Sequence, residues 1–260
     1  MRIFKIPLNA GAMSKKQGIE KGPDKIAGFL KDFHLTENNY LPVFDVKEIK
    51  VDNSNLSEAH KMIEQAVEKI DFPTVLIGGD HSMTYPAFKA FAKNNPKAGI
   101  IVFDAHPDVQ EKHNPPTHED YLRVLIEEGI VDKNNVILVG TRNMSIQEKK
   151  FIDDNKLKVH SMRKISFDIL REVADTIMSV ARLWSKVYIS VDIDVLDPGF
   201  APGTGYCEPG GLTTRQLIYI IHRLKMLRNI GMVDVVEVNP DKDVNDITSK
   251  TAAKLVVELS

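Results

Sequence analysis

The sequence is poor in features that mark several classes of protein. It holds one cysteine, Cys207, so no internal disulfide can form, and a reducing compartment such as the cytoplasm is expected. No apolar run approaches the ~20 residues needed to span a bilayer. The opening residues Met1-Arg2-Ile3-Phe4-Lys5-Ile6-Pro7 lack the longer apolar stretch and small-residue cleavage site of a signal peptide. Neither charge prevails: 34 Lys+Arg stand against 36 Asp+Glu, a formal net charge of −2. That balance argues against a basic nucleic-acid surface and against electrostatic docking on a membrane. A phosphate-cradling glycine loop with its lysine is missing, and so is a Gly-x-Ser-x-Gly nucleophile elbow. No linker, composition shift or internal repeat divides the 260 residues, so one domain over 1–260 is expected.

What is present is alternation. Short β-rich apolar runs at Thr74 to Ile77, Ala98 to Phe103, Val136 to Val139, Leu157 to His160, Val187 to Ile193 and Ile230 to Val238 read as buried strands. Segments of helical period lie among them. Leu56, Ala59, Ile63, Ala66 and Ile70 form one apolar stripe; Leu170, Val173, Ile177, Val180 and Trp184 form a second; Leu217, Ile220, Ile221, Leu224 and Leu227 form a third. Tyr85 to Phe91 and Tyr121 to Glu127 read as shorter helices, and Gln147 to Lys158 as the wet face of another. This order predicts a mostly parallel sheet flanked by helices. Pattern leaves open whether the sheet is open or closed into a barrel, but both place the active site at the carboxyl ends of the strands. Two loops rich in turn residues, Pro107 to Thr117 and Pro198 to Gly211, follow such ends.

Three strand ends carry the same chemistry. They read Gly78-Gly79-Asp80-His81-Ser82, Asp104-Ala105-His106-Pro107-Asp108 and Ser190-Val191-Asp192-Ile193-Asp194. In extended chain, residues two apart share a side, which predicts that Asp192 and Asp194 face together, as do Asp104, His106 and Asp108 if the strand persists. Four carboxylates gathered in one place repel one another unless cations neutralise them. Two divalent metals do so, and ions ~3.5–4 Å apart can hold a bridging hydroxide at neutral pH. Oxygen-rich ligation with two imidazoles and no thiolate favours Mn²⁺, with Mg²⁺, Co²⁺ and Zn²⁺ also compatible.

With these motifs in view, the chain resembles the ureohydrolases, the family of arginase, agmatinase and formiminoglutamase. Gly18-Ile19-Glu20-Lys21-Gly22-Pro23, Asp197-Pro198-Gly199-Phe200-Ala201-Pro202-Gly203-Thr204-Gly205, Gly210-Gly211-Leu212-Thr213 and Val236-Glu237-Val238-Asn239-Pro240 carry the likeness over almost the whole length. The resemblance implies an α/β/α open sandwich with a mainly parallel sheet of about eight strands. It implies one ion on His81, Asp104, Asp108 and Asp192 and another on Asp104, His106, Asp192 and Asp194. It also implies two Mn²⁺ per subunit, a homo-oligomer (trimer or hexamer) and a small guanidino substrate.

The expected reaction is attack of the bridging hydroxide on a guanidino or formimino carbon, releasing urea and an amine. By the same resemblance, Glu237 would grip the guanidinium, and His118, whose reference pKa lies near neutrality, would protonate the leaving amine. The departures from the family pattern concern the substrate's tail. Ser145 stands where arginases have an aspartate for the α-amino group, Glu119 follows His118 where most relatives have glycine, and Tyr206 replaces a small residue and narrows the pocket. Glu148 resembles a substrate-loop position, and His113 lies near enough to the site to be a minor candidate. These changes make agmatine the first choice over arginine, guanidinobutyrate and formiminoglutamate. Two other classes stay open: a dinuclear phosphoesterase, for which Arg142 is the only nearby cation, and a metal-binding relative without catalysis.

Overall fold

The computed structural model describes residues 1–13, 18–167 and 170–259. Along the chain run β1 (Arg2–Ile6), α1 (Gly22–Phe29), β2 (Asp45–Glu48), α2 (Leu56–Val67), β3 (Thr74–Gly78), α3 (Thr84–Asn94), β4 (Gly99–Phe103) and α4 (Tyr121–Glu127). They are followed by β5 (Val136–Val139), α5 (Ile146–Asn155), β6 (Lys158–His160), α6 (Met162–Phe167), α7 (Leu170–Ala181), β7 (Val187–Asp192), α8 (Thr214–Leu224), β8 (Ile230–Val236) and α9 (Ile247–Glu258). The eight strands form one open sheet in the order β2-β1-β3-β8-β7-β4-β5-β6, every neighbouring pair parallel. The open sandwich is therefore the fold, and the closed barrel is not.

Burial explains the layers. Successive strand residues point to opposite faces. Val75, Ile77, Ile101, Ile189 and Val235 pack on one face against Ile26 of α1, Ile177 of α7, Leu217 of α8 and Leu255 of α9. Leu76, Ile100, Val102, Tyr188 and Met232 pack on the other against Ile63 of α2, Phe88 and Phe91 of α3 and Leu125 of α4. Both faces are covered, so the central strands read as unbroken apolar runs. Helix starts follow from local chemistry. The Asn55 side chain accepts from Glu58 N ahead of α2, and reciprocal capping boxes, Ser145 with Glu148 and Thr213 with Gln216, open α5 and α8.

Several boundaries differ from the periodicity. β7 stops at Asp192 rather than Ile193, because the Asp192 side chain accepts from Asp194 N and starts a 3-10 turn at Ile193–Val195. β8 stops at Val236 rather than Val238, because Glu237 adopts a φ of 67°. The stripes reaching Trp184, Leu227 and Ile70 outrun their helices, which end at Ala181, Leu224 and Val67. β1 and β2 carry no run that stands out in the sequence.

Candidate functional site

Strands β3, β8, β7 and β4 are adjacent, and their carboxyl ends bring His81, Glu237, Asp192 and Asp104 together. The glycines before His81 serve a close approach. A Cβ on Gly79 would overlap the Leu8 carbonyl oxygen, so only glycine lets the two segments touch. Asp80 anchors the same junction, accepting from Gly11 N (3.0 Å) and Ser82 N (2.9 Å).

The expected extended geometry of the metal motifs is not what gathers them. Asp104 ends its strand by accepting from His106 N (2.6 Å), and Asp192 accepts likewise from Asp194 N (2.8 Å). Both motifs curl into tight turns held by their own aspartate, and Asp108 sits at a φ of 51°. The side chains converge all the same. His81 Nδ1 lies 3.2 Å from Asp104 Oδ2, 3.1 Å from Asp108 Oδ2 and 3.2 Å from Asp192 Oδ2. His106 Nδ1 lies 3.5 Å from Asp104 Oδ1 and 3.1 Å from Asp194 Oδ2. Two groups that could hold an ion result, His81 with Asp104 and Asp192, and Asp104 with His106 and Asp194, so Asp104 belongs to both.

This donor set fits a pair of cations. His81 Nδ1 and Asp104 Oδ2 are buried, and neither takes part in a hydrogen bond, an arrangement that costs free energy unless a further group meets them. Burial, and then the charge of Asp104, pushes Asp108 up to about 7. Burial, then Asp194 and Asp104, pushes Asp192 well above the ordinary carboxylate range, and burial followed by Asp104 raises Asp194. Asp104 is held low against its burial by the imidazoles of His106 and His81. A positive centre between these groups removes both the repulsion and the missing partners.

A cavity of about 390 Å³ opens on the cluster and is lined by His106, Asp108, Asp192, Asp194, His118 and Glu237. Its wall also carries Glu119, Ser145, Glu148, Tyr206 and Glu208, and no lysine or arginine among the described residues. His118 and Glu237 are not solvated loop charges, being only 4% and 2% exposed. Glu237 Oε1 accepts from His81 N (2.9 Å) and lies 3.5 Å from His118 Nδ1. The Tyr206 ring lies parallel to that of His118, 6.3 Å away, and its hydroxyl donates to Glu119 Oε1 (3.2 Å). Ser145 lines the cavity while capping α5, and its hydroxyl reaches Gln110 Oε1 at 3.3 Å.

Arg142 does not face the cavity as a phosphate ligand would. Its guanidinium donates to the carbonyls of Gly140, Asp194, Val195, Leu196 and Glu208, fastening the loop after β7 to the end of β5. His113 is half exposed, and its ring lies 3.4 Å from Asp120. Glu208 escaped the sequence reading, although it lies in the loop singled out there. It stands 3.4 Å from His106 Nε2 and accepts from Asn143 Nδ2 (2.7 Å).

A sequence model of the arginase family matches residues 1–260. The chain belongs to the arginase family. This arginase-family protein is similar to the arginase of Staphylococcus aureus (strain COL), 30% identical over 279 residues that cover 93% of this chain and 91% of that one. It is similar to the agmatinase of Bacillus cereus, 35% identical over 236 residues that cover 88% and 77%. Among solved structures, the formimidoylglutamase from Bacillus subtilis subsp. subtilis str. 168 superposes with a TM-score of 0.94 at 26% identity, covering 99% of this arginase-family chain and 85% of that one.

Proposed function

We propose that this arginase-family hydrolase uses two divalent cations, manganese by first choice, to hydrolyse a guanidino compound with a cationic tail, agmatine foremost. The observation that carries the reading is the convergence of four aspartates and two histidines around buried, unsatisfied ligand atoms at the floor of an acidic cavity. One ion would be held by His81, Asp104, Asp108 and Asp192, the other by Asp104, His106, Asp192 and Asp194. When bound, the cations neutralise the carboxylates and lower the pKa of a water so that a nucleophile is at hand near neutral pH.

The chain's own groups supply the rest. A guanidinium stays protonated at neutral pH and offers planar N–H donors, which a buried carboxylate such as Glu237 accepts. Glu237 is already oriented by His81 N, so it holds the substrate carbon over the aspartates with little rearrangement. His118, on the far side of Glu237 and shielded by Tyr206, is placed to deliver a proton to the departing amine. Glu119, Glu148 and Glu208 favour a positive tail, and among the described residues the wall offers a substrate carboxylate no lysine or arginine. That pattern supports agmatine over arginine, guanidinobutyrate and formiminoglutamate, although the relatives named above span arginase, agmatinase and formimidoylglutamase. The engagement of Arg142 with five carbonyls leaves the phosphoesterase reading without its phosphate ligand.

The test is urea release by manganese-loaded protein across these four compounds, with ammonia and formamide also measured. Agmatine should give the highest kcat/KM. A protein that binds two ions and turns over none of them would overturn the catalytic reading, and preference for a carboxylate-bearing compound would overturn the choice of tail.

A further inference from the structure

Beneath the cluster lies a carboxylate that the proposed chemistry does not use. Asp234 stands in the middle of β8, flanked by β3 and β7, and is fully buried. An aliphatic residue at this place would pack without any desolvation cost, whereas a buried carboxylate needs several hydrogen bonds to be tolerated. Asp234 has three, all from hydroxyls: Thr84 Oγ1 (2.8 Å), Tyr188 OH (2.7 Å) and Ser190 Oγ (2.6 Å) donate to it. Ser190 is its cross-strand neighbour on β7, and the serine oxygen lies 2.8 Å from His81 Nε2.

The direction of these bonds matters. Ser190 has one proton, and Asp234 takes it. Toward His81 the serine can then only accept, which requires the proton of the imidazole to sit on Nε2. The lone pair is thereby left on Nδ1, the nitrogen facing Asp104, Asp108 and Asp192. Tyr121 OH, 3.0 Å from the same Nε2, is the competing partner, because a phenol can donate there and favour the opposite tautomer. Without the carboxylate, nothing would stop Ser190 from donating to Nε2 as well.

We infer that Asp234 is a positioning residue that acts through Ser190 to hold His81 in the Nε2–H tautomer and so sets the affinity of the His81 cation site. The inference rests on the reading of His81 as a metal ligand. Losing an outer partner of a ligating histidine typically weakens metal affinity by about 10- to 100-fold. The loss should fall on the site served by His81, while the site served by His106 and Asp194 changes less.

The experiment compares wild type, Asp234→Asn, Ser190→Ala and the double variant by calorimetric Mn²⁺ titration, with ¹⁵N-histidine NMR on the diamagnetic Zn²⁺-loaded proteins. Ser190→Ala leaves the bonds from Thr84 and Tyr188 to Asp234 in place, so it retains the fold if Asp234→Asn does not. Expected are two Mn²⁺ sites in wild type, one of them weakened about 10- to 100-fold in either variant, and a double variant no weaker than Ser190→Ala alone. In the Zn²⁺-loaded proteins the His81 Nε2–H proton should move upfield in the variants, as its bond to the Ser190 oxygen is weakened or lost. Unchanged affinities with an unchanged His81 signal would overturn the inference, as would strictly additive losses. A wild type that binds no Mn²⁺ would instead overturn the metal reading on which it stands.

Discussion

Asp192→Asn separates the stability of the fold from the chemistry of the site. In the metal-free protein the Asp192 carboxylate is destabilised by burial, then by Asp194 and Asp104, which is why its pKa stands well above the ordinary range. An asparagine removes that charge yet keeps an oxygen able to accept from Asp194 N, so the turn after β7 survives. The EDTA-treated variant should therefore melt no lower than EDTA-treated wild type. Loading reverses the order. At manganese ~100-fold above Kd, each site stabilises wild type by about 2.7 kcal/mol, about 5 kcal/mol for two. For a chain of 260 residues that corresponds to a rise of roughly 10 °C or more. The variant, with the His81 triad broken, should gain at most about 2.7 kcal/mol from the same manganese, the share of one site, and retain at most one ion by elemental analysis. Differential scanning calorimetry with and without manganese reads both effects. A variant that melts far below wild type in EDTA, or that gains as much from manganese, would refute the electrostatic account.

Other outcomes follow from single side chains. His118→Ala should keep both ions and lose about 10²- to 10⁴-fold in kcat; unchanged turnover in the urea assay would remove His118 from the mechanism. His60, buried beside Ser82 and Tyr85, is depressed by burial and then by Lys89 to about 4. Its neutral form thus contributes stability that is full above about pH 6.5 and is lost as pH falls toward 4, about 3 kcal/mol in all. Melts of metal-free wild type and His60→Gln across that range should converge at low pH, and parallel curves would count against it. Arg142→Lys cannot reproduce a planar fork that meets five carbonyls. It should lower stability by about 2 kcal/mol and raise KM, as judged from thermal melts and initial rates.

The sequence disclosed the inner strands because both faces of β3, β4, β5 and β7 are buried, which writes four- to six-residue apolar runs into the chain. β2 was illegible for the converse reason: all four of its residues are exposed at the sheet edge, so Asp45–Glu48 needs no apolar face. The candidate ligands could be singled out because each follows a buried strand, but the local geometry could not. Period-two logic expects an extended chain, whereas Asp104 and Asp192 bend it by capturing a backbone N–H two residues on. Asp234 left a readable mark, an acid within an otherwise apolar run, whose meaning depends on Ser190, Tyr188 and Thr84 arriving from distant segments. Glu208 left none, since nothing in its loop encodes the approach to His106.

The strand order also carries a consequence for biogenesis. The two strands at the heart of the sheet, β7 and β8, follow the other six along the chain, and they fill the gap between β3 and β4. A nascent chain can pair its outer strands early, but it owns only His81, Asp104, His106 and Asp108 until β7 has emerged. If Asp192 and Asp194 hold the proposed cations, neither site would be complete before that insertion, and metal capture would follow the assembly of the sheet rather than guide its start.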